Sequence, residues 1–178
     1  MNFYRCLICG DVYMGKEKPS NCPFCGTHNK YLAVNDEWVD ENLSIKSLSE
    51  VSRSNLEKAL QLEVNNSPFY RDAMNKTSNM VLQGIFKYLS KVEGEHASLI
   101  GKMLNGERKE PEEGKEVALD DDRANLEAAH SREIAATAFY KQAAAEAVEE
   151  RVREVFMALA EIENDHIVLE EYLLKITR

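Results

Sequence analysis

The chain has 178 residues, 44% of them hydrophobic and 30% charged, with 4 Pro and 8 Gly. That suits one medium domain, or a small domain joined to a larger one, and excludes both a large multidomain machine and a disordered chain. Its 22 Lys and Arg against 31 Asp and Glu leave a net charge of −9, which repels phosphate backbones and argues against nucleic acid as a partner. No apolar run approaches the ~18 residues of a membrane helix, and the opening residues carry no signal-like apolar stretch, so no membrane partner and a cytoplasmic location are expected. Two anomalies remain: all 4 Cys fall within the first 25 residues, and several acidic side chains occupy helical positions that ought to be apolar.

The cysteines come first, as Cys6-Leu7-Ile8-Cys9 and Cys22-Pro23-Phe24-Cys25. Two Cys-x-x-Cys pairs a short distance apart can each wrap one side of a single ion, which makes a four-thiolate metal site. Gly10 and Gly26 follow the second cysteine of each pair, where a positive φ lets the turn aim backbone N–H groups at sulfur. Disulfides would need an oxidising compartment, to which nothing else points. Tetrahedral sulfur ligation suits iron and zinc alike. The run Tyr4-Arg5-Cys6-Leu7-Ile8-Cys9-Gly10-Asp11-Val12-Tyr13, with the second pair, resembles a rubredoxin, in particular the short rubredoxin domains fused to other redox proteins. The resemblance implies one iron that moves one electron, and a small aromatic core of Tyr4, Tyr13, Phe24 and Tyr31. A zinc ribbon that only holds the fold stays open. The expected module is 1–36, followed by a polar linker over 37–50.

From there the pattern is helical, rich in Ala, Leu, Glu and Lys, with no strand-like alternation. The expected helices are 51–75, 79–105, 122–147 and 150–177. Asp120, Asp121 and Asp122 cap the third, Pro68 should kink the first, and no Gly or Pro marks the turn between the last two. Residues 55–105 repeat as 125–175: Asn55-Leu56-Glu57 matches Asn125-Leu126-Glu127, Phe69-Tyr70 matches Phe139-Tyr140, and Phe86 matches Phe156. Two helical hairpins are therefore joined by a connection near 104–122, broken by Gly106, Pro111 and Gly114. Its length suits a crossover in a four-helix bundle over 51–178.

The repeat carries chemistry. Each hairpin has one Glu and then, thirty residues on, Glu-x-x-His: Glu63, Glu93 and His96; Glu133, Glu163 and His166. Positions three apart share a helix face, so each Glu-x-x-His can address one ion. A single copy is the ordinary product of surface salt links, but two copies at the same offset make a dinuclear iron or manganese carboxylate site. Four carboxylates also balance two divalent ions, whereas without metal they would repel and take up protons.

A rubredoxin-like module ahead of such a bundle resembles a rubrerythrin, in the domain order of the reverse rubrerythrins, over 3–174. The resemblance implies a mainly α fold: a ferritin-like four-helix bundle behind a small β/loop metal module. It implies two irons held by Glu63, Glu93, His96, Glu133, Glu163 and His166, with Glu93 and Glu163 bridging, and one iron or zinc at Cys6, Cys9, Cys22 and Cys25. Tyr70 and Tyr140, seven residues beyond a ligand Glu, suit hydrogen bonds to the ligand carboxylates. Familiar members have a further Glu where this chain has Ala136, with Thr137 beside it. His130 is expected at the edge of the site or on the surface, and His28 in a solvated loop.

The expected activity is a peroxidase that reduces hydrogen peroxide to water in oxidative-stress defence. Electrons arrive one at a time through the cysteine module from a separate donor protein, a rubredoxin or its reductase. The resemblance also implies a homodimer in which one subunit's module approaches the partner's di-iron site. Two alternatives stay open: an oxidase or ferroxidase acting on dioxygen, which Ala136 favours, and an iron-binding or storage protein with a structural zinc ribbon. No Gly-x-Gly-x-x-Gly run provides for a nicotinamide cofactor in the chain itself.

Overall fold

The computed structural model describes residues 1–34, 39–43, 45, 47–104 and 117–177. Gly106, Pro111, Gly114 and part of the polar linker lie outside the described residues. Near the N-terminus, β1 (Asn2–Cys6) pairs antiparallel with β2 (Val12–Gly15) on one side and β3 (Leu32–Ala33) on the other. The register sets Tyr4 opposite Tyr13, and their rings stack at 6.5 Å. The expected aromatic core is only partly present, since Phe24 is 37% exposed and Tyr31 half-buried. Ile8 and Leu32 are buried there instead, in one apolar cluster with Val92, Leu99 and Ile162 of the helices. The module is closed by the bundle rather than by its own rings.

Four helices follow: α1 (Glu50–Lys76), α2 (Met80–Met103), α3 (Asp122–Glu146) and α4 (Glu150–Ile176). Every end lies within two residues of its expected position. Their starts follow from capping chemistry: Ser49 accepts from the Ser52 N–H, Asn79 from Val81 and Leu82, and Asp121 from Ala124. The α3–α4 turn, unmarked by Gly or Pro, is held by side chains of α4 and of α1. Arg153 donates to the Ala147 carbonyl at 2.8 Å, and Val148 N–H donates to Ser52 Oγ at 3.3 Å. α1 runs through Pro68 as one helix. Beside it, Ser67 and Ser90 each donate to the other's backbone carbonyl, at 2.9 and 2.8 Å, clamping α1 to α2.

α1 packs on α2 and α3 on α4, and contacts between the ends orient the pairs. The α1 C-terminus meets the α3 N-terminus through Thr77 and Asp122, and the opposite ends meet through Asn55 and Glu146. α1 and α3 are thus antiparallel, so α2 and α3 are parallel and the end of α2 lies at the opposite end of the bundle from the start of α3. The repeat is visible in the core. Tyr70 stacks on Phe86 and Tyr140 on Phe156, with ring centroids 6.2 and 5.9 Å apart. Among the described residues no helix is long and apolar enough to cross a membrane.

Candidate metal centres

Cys6, Cys9, Cys22 and Cys25 are all buried, unpaired by disulfides, and have their sulfurs within 4.8 Å of one another. Sγ of Cys6 lies 3.7 Å from that of Cys25, and Cys9 3.9 Å from Cys22. A tetrahedron with metal–sulfur bonds of about 2.3 Å has edges of about 3.8 Å, so the spacing fits one ion. Gly10 and Gly26 take φ of 90° and 76°, as the turn requires. Backbone N–H groups of Cys9 and Asp11 point at Cys6 and Cys9 sulfur, each at 3.5 Å. Gly26 has a second reason to be glycine, because a Cβ there would sit 3.1 Å from Ile162 Cγ2. Contact with Cys22 pushes the Cys9 thiol up, and contact with Cys25 holds Cys22 down. The sulfurs compete for protons that a metal cation would replace.

The bundle fixes this module by its carbonyls. Arg151 Nη2 donates to Leu7 and Ile8 carbonyls at 2.6 and 3.2 Å, and its Nε to Asn42 Oδ1 at 2.9 Å. Asn42, fully buried, donates in turn to Ile8 at 2.8 Å, and Lys102 reaches the Cys9 carbonyl at 3.3 Å. His28 keeps a side chain that is 37% exposed, as expected of a solvated loop residue, but it is not unpartnered. It meets Asp165 of α4 at 2.7 Å, while Lys30 meets Glu161 at 2.6 Å.

Inside the bundle, Glu63 of α1, Glu93 and His96 of α2, Glu133 of α3, and Glu163 and His166 of α4 are all buried. They form two overlapping groups of potential ligand atoms: Glu63, Glu93, His96 and Glu163; and Glu93, Glu133, Glu163 and His166. Glu93 and Glu163 belong to both. His96 Nδ1 lies 3.3 Å from Glu163 and 3.7 Å from Glu63, and His166 Nδ1 lies 2.9 Å from Glu163 and 3.4 Å from Glu93. Both Glu93 oxygens, both Glu163 oxygens, one oxygen each of Glu63 and Glu133, and both Nδ1 atoms lack hydrogen-bond partners. So many buried orphan lone pairs facing one point fit cations.

The charges agree. Burial and the neighbouring Glu163 and Glu63 push the Glu93 carboxyl well above its ordinary range, and Glu133 is pushed up to about 7 by burial and Glu163. Burial also works against Glu163, but contacts with His166 and His96 hold its carboxyl low. For the histidines, burial opposes the charge, and the surrounding carboxylates more than offset it, raising both. The cluster demands positive charge, which two divalent ions supply without protons. Iron or zinc suits the sulfur set, and two irons suit the carboxylate–imidazole set.

Tyr140 donates to Glu63 and Tyr70 to Glu133, so each tyrosine serves the carboxylate of the other hairpin. Ala136 is buried and brings no ligand atom to either group, and the Thr137 hydroxyl beside it has no hydrogen-bond partner. His130 faces Glu171 at 3.8 Å, outside both ligand groups. The expectation that a module approaches the partner's site has a counterpart inside this one chain, where His96 Nε2 donates to the Cys25 carbonyl at 3.0 Å. One residue escaped the sequence reading: Glu170, fully buried, 2.8 Å from the Tyr70 hydroxyl. Its spacing after Glu163 and His166 on one helix stripe was a signal, but the repeat hides it, since the matching position is Ile100.

Comparison with known proteins bears on these centres. The sequence model of the Rubrerythrin family matches residues 54–175. Reverse rubrerythrin-1 of Clostridium acetobutylicum is 39% identical over 46 residues, which cover 24% of this chain and 25% of that protein. The match therefore spans a quarter of the relative's length. A hypothetical protein from Pyrococcus furiosus shares the fold with a TM-score of 0.60 at 19% identity, covering 76% of this chain and 93% of that one.

Proposed function

The chain belongs to the rubrerythrin family, and from that premise we propose that it is a non-haem di-iron peroxidase reducing hydrogen peroxide to water. The family is one of di-iron oxidoreductases, which gives the class of reaction. The observation that carries the finer reading is the hydrogen bond from His96 Nε2 to the Cys25 carbonyl. It joins the four-cysteine cluster to the carboxylate cluster through one imidazole.

In this reading Glu63, Glu93, His96 and Glu163 would hold one iron, and Glu93, Glu133, Glu163 and His166 the other. Donation from His96 Nε2 to Cys25 leaves Nδ1 with its lone pair toward the carboxylates, the tautomer a ligand needs. Two ferrous ions there would supply the two electrons that break the O–O bond, and iron at the cysteines would restore them singly. Tyr70 and Tyr140 fix the Glu133 and Glu63 carboxylates by donating to one oxygen of each, which leaves the other oxygen for metal. Fully buried Phe86, Phe156, Leu89 and Leu159 keep water from the core. A groove of about 420 Å³ between α1 and α3 is lined by Asn66 and Arg132, close in sequence to Glu63 and Glu133.

Reducing equivalents come from a separate carrier protein to the cysteine module, in a homodimer serving oxidative-stress defence. Buried Ala136 supports a second reading, an oxidase acting on dioxygen, because that position brings no carboxylate to exchange with a histidine. Stopped-flow oxidation of the fully reduced protein separates the two. Peroxide should oxidise it much faster than dioxygen; the reverse order establishes the oxidase. A visible spectrum of iron-loaded protein without thiolate-to-iron absorption would remove internal electron delivery.

A further inference from the structure

The ligand pattern repeats between the hairpins, but one buried carboxylate does not. Glu170 is fully buried, at 0% solvent exposure, and belongs to neither ligand group. Its Oε1 lies 2.8 Å from the Tyr70 hydroxyl, which also meets Glu133 Oε1. Its Oε2 has no hydrogen-bond partner. Tyr140 makes the matching bond to Glu63, yet the position matching Glu170 is Ile100, which has no proton to give or take.

Hydrogen-bond counting decides what Glu170 is. A phenol carries one proton and cannot donate to two carboxylates at once. If both were ionised, one contact would set lone pair against lone pair in a site shielded from water. One of the two acids therefore brings its own proton. Glu133 is a candidate metal ligand and faces His166 at 3.9 Å, so it has positive charge to keep it ionised. Burial and the Glu133 charge push Glu170 up to about 9, and among the described contacts Tyr70 is its one hydrogen-bond partner.

We propose that Glu170 is a positioning residue of the carboxylate site: as a neutral acid it donates to the Tyr70 oxygen, commits the phenol proton to Glu133, and makes the two halves of the centre chemically unequal. The inference rests on Glu133 being an iron ligand, as proposed above. It concerns orientation, so no bond other than these hydrogen bonds is made or broken.

Infrared difference spectra of the iron-loaded protein test it without using substrate. Subtracting Glu170→Gln from wild type should reveal the carbonyl stretch of a protonated carboxyl, displaced in heavy water and displaced again in Tyr70→Phe. Bands of an ionised carboxylate in that difference would overturn the proposal. Glutamine can still donate to the phenol, whereas Glu170→Ile copies the first hairpin and cannot. Release of bundle iron to a chelator should be at least about tenfold faster in Glu170→Ile than in Glu170→Gln. Equal rates would overturn the positioning role. A protein that takes up no iron in the bundle would sink the di-iron reading together with this one. Iron held but no acid band sinks this one alone.

Discussion

The two hairpins present matching ligands to the centre and different neighbours around it. On the first, His96 is tied through Nε2 to the Cys25 carbonyl of the cysteine module. On the second, Glu133 is tied through Tyr70 to the buried Glu170, where the first hairpin has Ile100. Duplication accounts for the ligand set, while departures from the repeat give the set a direction. One side faces the four-cysteine cluster, and the other holds an additional acid. A symmetric pair of metal positions would have no such polarity.

The most severe way to break this comparison is through the carboxylates common to both groups. Because Glu163 lies in both, Glu163→Ala should cost the bundle both irons, whereas Glu63→Ala should leave one, as measured by iron bound per chain. Loss of both irons from Glu63→Ala would show that the halves do not bind independently. The next effect concerns the cysteine module, which is anchored more firmly by the second hairpin than by the first. Arg151 makes three hydrogen bonds into the module and its flank, against one from Lys102 at 3.3 Å and one from His96 to the Cys25 carbonyl at 3.0 Å. Arg151→Ala should cost about 3 kcal/mol, since buried carbonyls lose a charged donor. Lys102→Ala should cost less. Metal release from the cysteines and the thermal midpoint both report it, and equal costs would refute the unequal anchoring.

Much of this was legible in the sequence, and the rest was hidden for identifiable reasons. Cys6, Cys9, Cys22 and Cys25 declare a metal site by spacing alone, and Gly10 and Gly26 declare the turns. The six bundle ligand candidates stand out because a repeat makes coincidence improbable and because each occupies an otherwise apolar helix face. Helix ends at Ser49, Asn79 and Asp121 follow local capping rules. What stayed hidden depends on contacts between distant segments. The aromatic core assigned to Phe24 failed because the bundle covers the module with Val92 and Ile162. Nothing near Arg151 announces that it will reach Leu7 and Ile8. The bond from His28 stayed hidden because its partner, Asp165, lies 137 residues along the chain. Glu170 was missed for the opposite reason: the repeat directed attention to positions that match.

The tyrosines sharpen the comparison on a smaller scale. Tyr140 donates to Glu63, while Tyr70 stands between Glu133 and Glu170, so its removal leaves two buried groups without their partner. Tyr70→Phe should therefore destabilise metal-loaded protein more than Tyr140→Phe, by about 1 kcal/mol in denaturant titrations. Equal costs would mean that Glu170 gains nothing from the phenol.

The smallest effect belongs to the latch between the module and α4. Lys30 and Glu161 meet at 2.6 Å, but their side chains are 53% and 32% exposed, so solvent and salt screen the pair. A double-mutant cycle of Lys30→Ala and Glu161→Ala should give a coupling of about 0.5 kcal/mol, and less at high ionic strength. Glu161 also lies 3.6 Å from His28, so the Glu161→Ala single variant should cost more than Lys30→Ala. The anchoring by Arg151 differs in kind, because its side chain is only 11% exposed and its acceptors within the module are the neutral carbonyls of Leu7 and Ile8, which added salt does not neutralise. A latch coupling that exceeded the Arg151 effect, or that survived high salt, would move the anchor of the cysteine module from the start of α4 to its middle.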